Sequence, residues 1–195
     1  MQKKWGIEIL FVFLILGTHY QCDKSSVSLI PVKPPGKSDN VLMNSSFEKD
    51  GQPTLEGWRI GNPQLVRFVH QAPPEGGEWC IELTSDWSPT TGFIYTPVPE
   101  IQDGDVVQLS GYIRSPGSAG GGYIALAIGK NHFGIRKVAS VEDTVWTEVT
   151  LMDTVSLSEG DTLWVVVSSF NTEIVSLKGL FDEIRLFKLA RSTGE

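Results

Sequence analysis

Cysteine is scarce in this chain: 195 residues carry two, Cys22 and Cys80. With Cys22 modified, as argued below, Cys80 stands alone and forms no internal disulfide, so the fold must rely on its core. Spacings of histidine and cysteine that hold a zinc ion are also missing. Basic charge is short, with 16 Lys and Arg against 23 Asp and Glu and a net charge of -7. No basic patch interrupts that balance, which argues against nucleic acid as a partner and disfavours polyanionic ligands.

Helical patterning is lacking as well. No window keeps a 3.6-residue apolar period between caps. Long apolar runs are confined to one, Ile9 to Gly17 (ILFVFLILG). It is about half the roughly 20 residues that a bilayer-spanning helix needs. Preceded by Lys3 and Lys4 and followed by polar residues, it reads as the h-region of a secretory signal. Removing Lys3, Lys4 and Glu8 (net +1) from a total of -7 leaves the mature part at -8.

Cys22 follows this signal directly, where bacterial lipoproteins carry the cysteine that receives the lipid. His19, Tyr20 and Gln21 depart from the small residues of that pattern, so ordinary cleavage nearby is the alternative. The reading is an exported protein, lipid-anchored in a bacterial cell envelope through its N-terminus. Each buried methylene of such an anchor contributes about 0.8 kcal/mol. The expected organisation is a signal over 1–21, a flexible tether over 22–39, one domain over 40–189 and a tail over 190–195. The tether (DKSSVSLIPVKPPGKSD from Asp23 to Asp39) holds Pro31, Pro34, Pro35 and Gly36 and has no periodicity.

From Asn40 onward the patterns are all β. Short alternating or apolar runs recur between Gly, Pro, Asn and Asp clusters. Strands are expected near Val41–Met43, Leu65–His70, Trp79–Ser85, Thr91–Tyr95, Val106–Arg114, Gly122–Ile128, Gly134–Val138, Thr147–Met152, Thr162–Ser169 and Gly179–Leu189. Strands in that number without crossover helices imply two antiparallel sheets packed face to face, an all-β jelly-roll sandwich. In three runs alternation separates the faces. Val107, Leu109 and Ile113, then Ile124, Leu126 and Ile128, then Leu163, Val165 and Val167 should form the core. The opposite positions carry Tyr112, Tyr123 and Trp164 among small and polar residues. Trp58 and Trp146 are expected in the core, and Tyr95 at a corner.

The segment Asn40–Glu48 (NVLMNSSFE) followed by Gly57-Trp58 resembles the opening of carbohydrate-binding modules of the cellulose- and xylan-binding type. Gly77–Leu83, Asp103–Arg114 (DGDVVQLSGYIR), Trp146–Val149 (WTEV) and Phe181–Leu186 (FDEIRL) resemble their later landmarks in the same order. The likeness runs from Asn40 to about Leu189. It implies a concave sheet that takes up a glycan chain. It also implies a structural Ca²⁺ held by Glu48 and Asp182, with backbone carbonyls completing a shell of six to eight oxygens. The alternative for these two is a surface carboxylate and a turn residue.

Sugars stack their C–H faces on aromatic rings while polar groups bond the hydroxyls. By alternation the candidate platform is Tyr112, Tyr123 and Trp164, with Gln108 and Arg114 as hydrogen-bonding partners and Trp87 at the rim. Catalysis is disfavoured. Asp182 and Glu183 are neighbours on one strand and should point to opposite faces. Asp103 and Asp105, like Glu159 and Asp161, bracket a glycine as turn residues do. Cys80, in a strand-like run (EWCIELT), reads as a buried inert thiol, since nothing places His70 or His132 beside it. The expected function is non-catalytic glycan binding by a monomer. The alternative is a structural or protein-interaction jelly roll without a sugar site.

Overall fold

The computed structural model describes residues 39–86, 91–170 and 176–191. The expected signal, Cys22, nearly all of the tether and Trp87 lie outside the described residues. Among those described, no helix is long and apolar enough to cross a membrane.

The chain forms twelve strands among the described residues. They are β1 (Glu48–Lys49), β2 (Gln52–Pro53), β3 (Arg59–Ile60), β4 (Val66–Val69), β5 (Cys80–Ser85) and β6 (Phe93–Val98), then β7 (Asp105–Arg114), β8 (Gly122–Gly129), β9 (Ile135–Val141), β10 (Thr147–Thr154), β11 (Thr162–Ser169) and β12 (Leu177–Arg191). The first large sheet runs in the order β10-β7-β12-β5-β4, the second in the order β3-β6-β11-β8-β9, and β1 pairs with β2. Every pairing is antiparallel. The sandwich expected from the strand pattern is the observed fold, and β4 to β12 coincide with expected runs.

One expected strand is corrected. Val41–Met43 is not a strand, because the Asn40 side chain does the bonding that a ladder would do. Its Oδ1 accepts from Leu42 N (3.1 Å) and Leu186 N (2.9 Å), and its Nδ2 donates to Leu42 O. Side-chain bonds of this kind compete with regular strands. The β1–β2 hairpin is set by Asp50 and Gly51, whose φ angles of 53° and 72° suit a two-residue turn of the primed kind.

The core lies between the two sheets. Leu109 and Ile113 of β7, Ile124 and Leu126 of β8, and Leu163, Val165 and Val167 of β11 are fully buried there. Burying each such side chain stabilises the fold by roughly 1.5–3 kcal/mol. Phe47 is buried beside Trp58, ring centres 5.5 Å apart, and the indole N–H of Trp58 donates to Asn44 O. Phe47 has φ of 56°, which is strained for a bulky residue, so packing must offset the cost.

Alternation fails at two places in β12, where its register with β7 shifts: between Asp182 and Arg185 and between Lys188 and Ala190. At the first, which bears on the site, Glu183 has φ of 51°. This bulge turns Ile184 into the core and leaves both Asp182 and Glu183 buried. The expectation that these acids simply point to opposite faces is therefore corrected, since a strict two-residue period does not run through a bulge.

Candidate ligand-binding groove

Alternation sorts side chains within each strand, and the sheet order decides which outer face they reach. With Val107, Leu109 and Ile113 in the core, Gln108, Tyr112 and Arg114 leave β7 on the outer side of the first sheet. Tyr123 of β8 and Trp164 of β11 leave on the outer side of the second. The platform expected from Tyr112, Tyr123 and Trp164 is thus divided between opposite faces of the sandwich. Gln108 and Arg114 stay with Tyr112 and cannot serve a ligand on Tyr123.

The outer side of the first sheet is covered by the stretch from His70 to Trp79. The Arg114 guanidinium bonds Gln71 and lies 5.3 Å from the Trp146 ring centre, and Trp146 Nε1 donates to Gln71 O at 3.1 Å. Trp146 is consequently a half-buried clamp for this stretch and not the core residue expected. The His70 ring lies tilted against Trp79, ring centres 3.5 Å apart. Burial, with the charges of Glu148 and Glu75, raises the Tyr112 hydroxyl above its ordinary range. Farther along, Glu82 meets Arg67 (2.8 Å) and Lys178 (3.1 Å). Burial alone would raise Glu82, but these two cations outweigh it and hold the carboxyl below its usual range. Cys80 is fully buried, and burial followed by the Asp182 charge pushes its thiol up to about 12. A thiol so far from ionising is inert.

The outer side of the second sheet has a different character. Ala125, Ala127 and Val166 form a floor of small apolar groups under Tyr95, Tyr123 and Trp164. Phe93 and Tyr95 of β6 stack at 5.8 Å. The loop between β8 and β9 folds back across this floor, so that His132 stacks on Tyr95 at 3.7 Å and Phe133 lies beside it. Trp164 is thereby buried to 8% exposure, its Nε1 donating to Gly129 O at 3.0 Å, with the Arg59 guanidinium 5.7 Å from its ring centre. Trp164 supports the face from beneath and presents no open platform. Burial, then the neighbouring Arg59 charge, lowers the His132 imidazole below its ordinary range.

A groove of about 410 Å³ opens beside this covered part. Val166, Ser168 and Tyr123 make its floor, Gly61, Asn62, Thr91 and Phe93 one wall, and His132, Phe133 and Ile135 the other. No charged side chain is among these lining residues. Asn62 spends its Oδ1 on Gln64 N (3.2 Å), which leaves its amide N–H groups for a ligand. Of the expected binding residues, Tyr123 lines this groove, Trp164 lies under its neighbour, and Trp87 lies outside the described residues. Phe93 and Tyr95 alternate around Ile94 in FIYTPV, a signal that sequence reasoning passed over when it set Tyr95 at a corner. His132 and Phe133 sit in a loop, where no periodicity announces them.

Glu48 and Asp182, expected to hold calcium, converge on the Gly76–Gly77 turn. A Cβ on Gly76 would run into Asp182 Oδ2, and one on Gly77 into Glu48 Oε1. Glu48 Oε2 accepts from Glu78 N (2.9 Å) and Trp79 N (3.0 Å). Asp182 Oδ1 accepts from Glu183 N at 2.7 Å, while its buried Oδ2 has no hydrogen-bond partner among the described residues. Burial, with the charges of Glu183 and Glu48, lifts Asp182 to about 8. A buried carboxylate oxygen without a partner beside a second acid fits a hard cation. No cluster of three or more His, Cys, Asp or Glu forms among the described residues, so carbonyl oxygens would have to supply the rest.

No family model matches the chain, and neither does any curated protein at the sequence level. Solved structures do match. The CBM22-1 xylan-binding domain of Paenibacillus barcinonensis Xyn10C is 16% identical, with a TM-score of 0.55, over 81% of this chain and 100% of that domain. A family 16 carbohydrate-binding module is 17% identical, with a TM-score of 0.57, over 76% of this chain and all of that one. An arabinose-bound GH51 α-L-arabinofuranosidase is 12% identical, with a TM-score of 0.57; the match takes in 76% of this chain and only 26% of that enzyme. At such identities the likeness establishes the fold: this chain is a jelly-roll β-sandwich of the kind found in carbohydrate-binding modules.

Proposed function

We propose that this protein is a non-catalytic module that binds a poly- or oligosaccharide in the groove on the outer side of its second sheet. The observation that carries this reading is the groove's make-up. Tyr123, Phe93 and Phe133 offer aromatic surface and Asn62 and Thr91 offer uncharged polar groups, on a protein that is otherwise acidic. Aromatic surface with a few placed polar groups is what a sugar ring needs. A glycosidase needs a pair of carboxyl groups across the scissile bond, and no carboxylate is among the described residues that line the groove. The jelly-roll neighbours support the same reading.

The proposal extends to display and stability. The signal and Cys22 support export and lipid anchoring in a cell envelope, with the tether holding the module clear of the membrane. A calcium ion held by Glu48 and Asp182 would join β1 to β12 and neutralise the buried Asp182 and the half-buried Glu48. A monomer is the expected state.

Affinity electrophoresis of residues 40–189 in gels containing plant, algal or microbial polysaccharides tests the central part. Retardation by at least one neutral polysaccharide is expected, and unretarded migration in all of them contradicts it. A specific observation favours a second reading in that event. Phe133, Ile135 and Val138 are 72%, 41% and 51% exposed along the β9 edge, an apolar strip that suits a protein-interaction module.

A further inference from the structure

The β8–β9 loop does more than line the groove. It crosses the face of its own sheet. β8 is separated from β6 by β11, yet His132 from this loop lies 3.7 Å from Tyr95 on β6. With strands about 4.8 Å apart, the loop reaches over roughly two strand spacings. Bonds at both of its ends hold it there: Trp164 Nε1 donates to Gly129 O, and Ile128 N donates to Gly134 O at 2.9 Å. His132 also approaches Phe133 (4.0 Å), Phe93 (5.4 Å) and Trp164 (6.1 Å), so with Tyr95 the imidazole is set among four aromatic rings.

The consequence is a change in the shape of the ligand site. An internal stretch of glycan needs a groove open at both ends, because the chain must enter and leave. Here the face behind Phe93 is occupied by His132 on Tyr95. Gly61 and Asn62 bound the groove on the β3 side, and Phe133 and Ile135 bound it on the β9 side. Three sides are walled. The cavity of about 410 Å³ is near the lower end of the range that encloses small ligands, on the order of one to two sugar rings.

Taking the glycan-binding reading as its basis, we infer that this site recognises a short neutral saccharide or the terminus of a chain, and that the β8–β9 loop is the element that imposes the limit. The ligand is neutral because no charged side chain among the described residues lines the cavity. His132 and Phe133 act as specificity-determining residues by standing where a longer chain would continue.

The test is titration calorimetry with cello-, xylo-, manno- and galacto-oligosaccharides of increasing length, from one sugar to six, on the full chain. It is run on the parent protein and on a His132→Gly/Phe133→Gly double variant whose folding is checked by circular dichroism. For the parent, affinity should rise to the disaccharide and then change by less than about twofold with each added unit. The double variant should gain about tenfold or more for the hexasaccharide relative to the disaccharide, equivalent to ~1.4 kcal/mol. A parent affinity that climbs steadily to the hexasaccharide overturns the inference and leaves glycan binding standing. A folded double variant that keeps the parent's plateau overturns the role of the loop. No binding of any oligosaccharide overturns the glycan-binding reading and this inference with it.

Discussion

The His132 imidazole stacks on the Tyr95 ring with centres 3.7 Å apart, although the two residues belong to elements separated by an intervening strand. This contact organises the outer side of the second sheet. It buries Trp164 and places Phe133 and Ile135 as one wall of the groove in which Tyr123 and Phe93 remain accessible.

The bulge in β12 yields a prediction about folding stability. Gly111 of β7 faces Ile184, and a Cβ there would run into Ile184 Cδ1. Ile184 is fully buried, so its Cδ1 would have to swing aside within a packed core. Gly111→Ala should therefore destabilise the protein by about 1–3 kcal/mol, the range for overpacking a core. Urea melts measure it, and an unchanged midpoint would show that the bulge relaxes freely.

Much of this architecture was legible in the sequence. Alternation in β7, β8 and β11 gave the correct core residues because a buried face forces a two-residue period. It could not tell that β7 lies in one sheet while β8 and β11 lie in the other, because sheet membership depends on long-range pairing. Tyr112 and Trp164 were consequently assigned to one face. The bulge at Glu183 and the Asn40 side-chain bonds are further local departures that a periodic pattern does not encode. Periodicity does not place His132 on this face, because its role comes from a loop folding back, whereas Tyr123 sits on a regular strand.

Glu82 supplies a pH dependence. It is 5% exposed and its carboxyl is held below the usual range by Arg67 and Lys178. A depressed carboxyl contributes stability that is present above its unfolded value near 4.5 and lost as pH falls through its native value. Glu82→Gln should thus cost roughly 1–3 kcal/mol at pH 7, as for a buried charged group losing its bonds. The difference between parent and variant should shrink as the pH drops below 4.5. A penalty that stays constant down to pH 3 would assign it to packing instead.

Calcium should stabilise the protein through Glu48 and Asp182. Free calcium at about one hundred times its dissociation constant is expected to raise the melting temperature by roughly 5–10 °C over a chelator-treated sample. Glu48→Gln and Asp182→Asn should each abolish most of that shift. Identical midpoints with calcium and with chelator would remove the metal from the account.

The most direct measurement compares oligosaccharide or polysaccharide binding by Tyr123→Ala, Phe93→Ala and Tyr112→Ala. A buried aromatic contact contributes about 1.5–3 kcal/mol, so loss of Tyr123 or Phe93 should weaken binding about tenfold or more. Tyr112→Ala, altered on the opposite face, should bind as the parent does. Full binding by Tyr123→Ala and Phe93→Ala, or a loss confined to Tyr112→Ala, would contradict the placement of the sugar site on the second sheet.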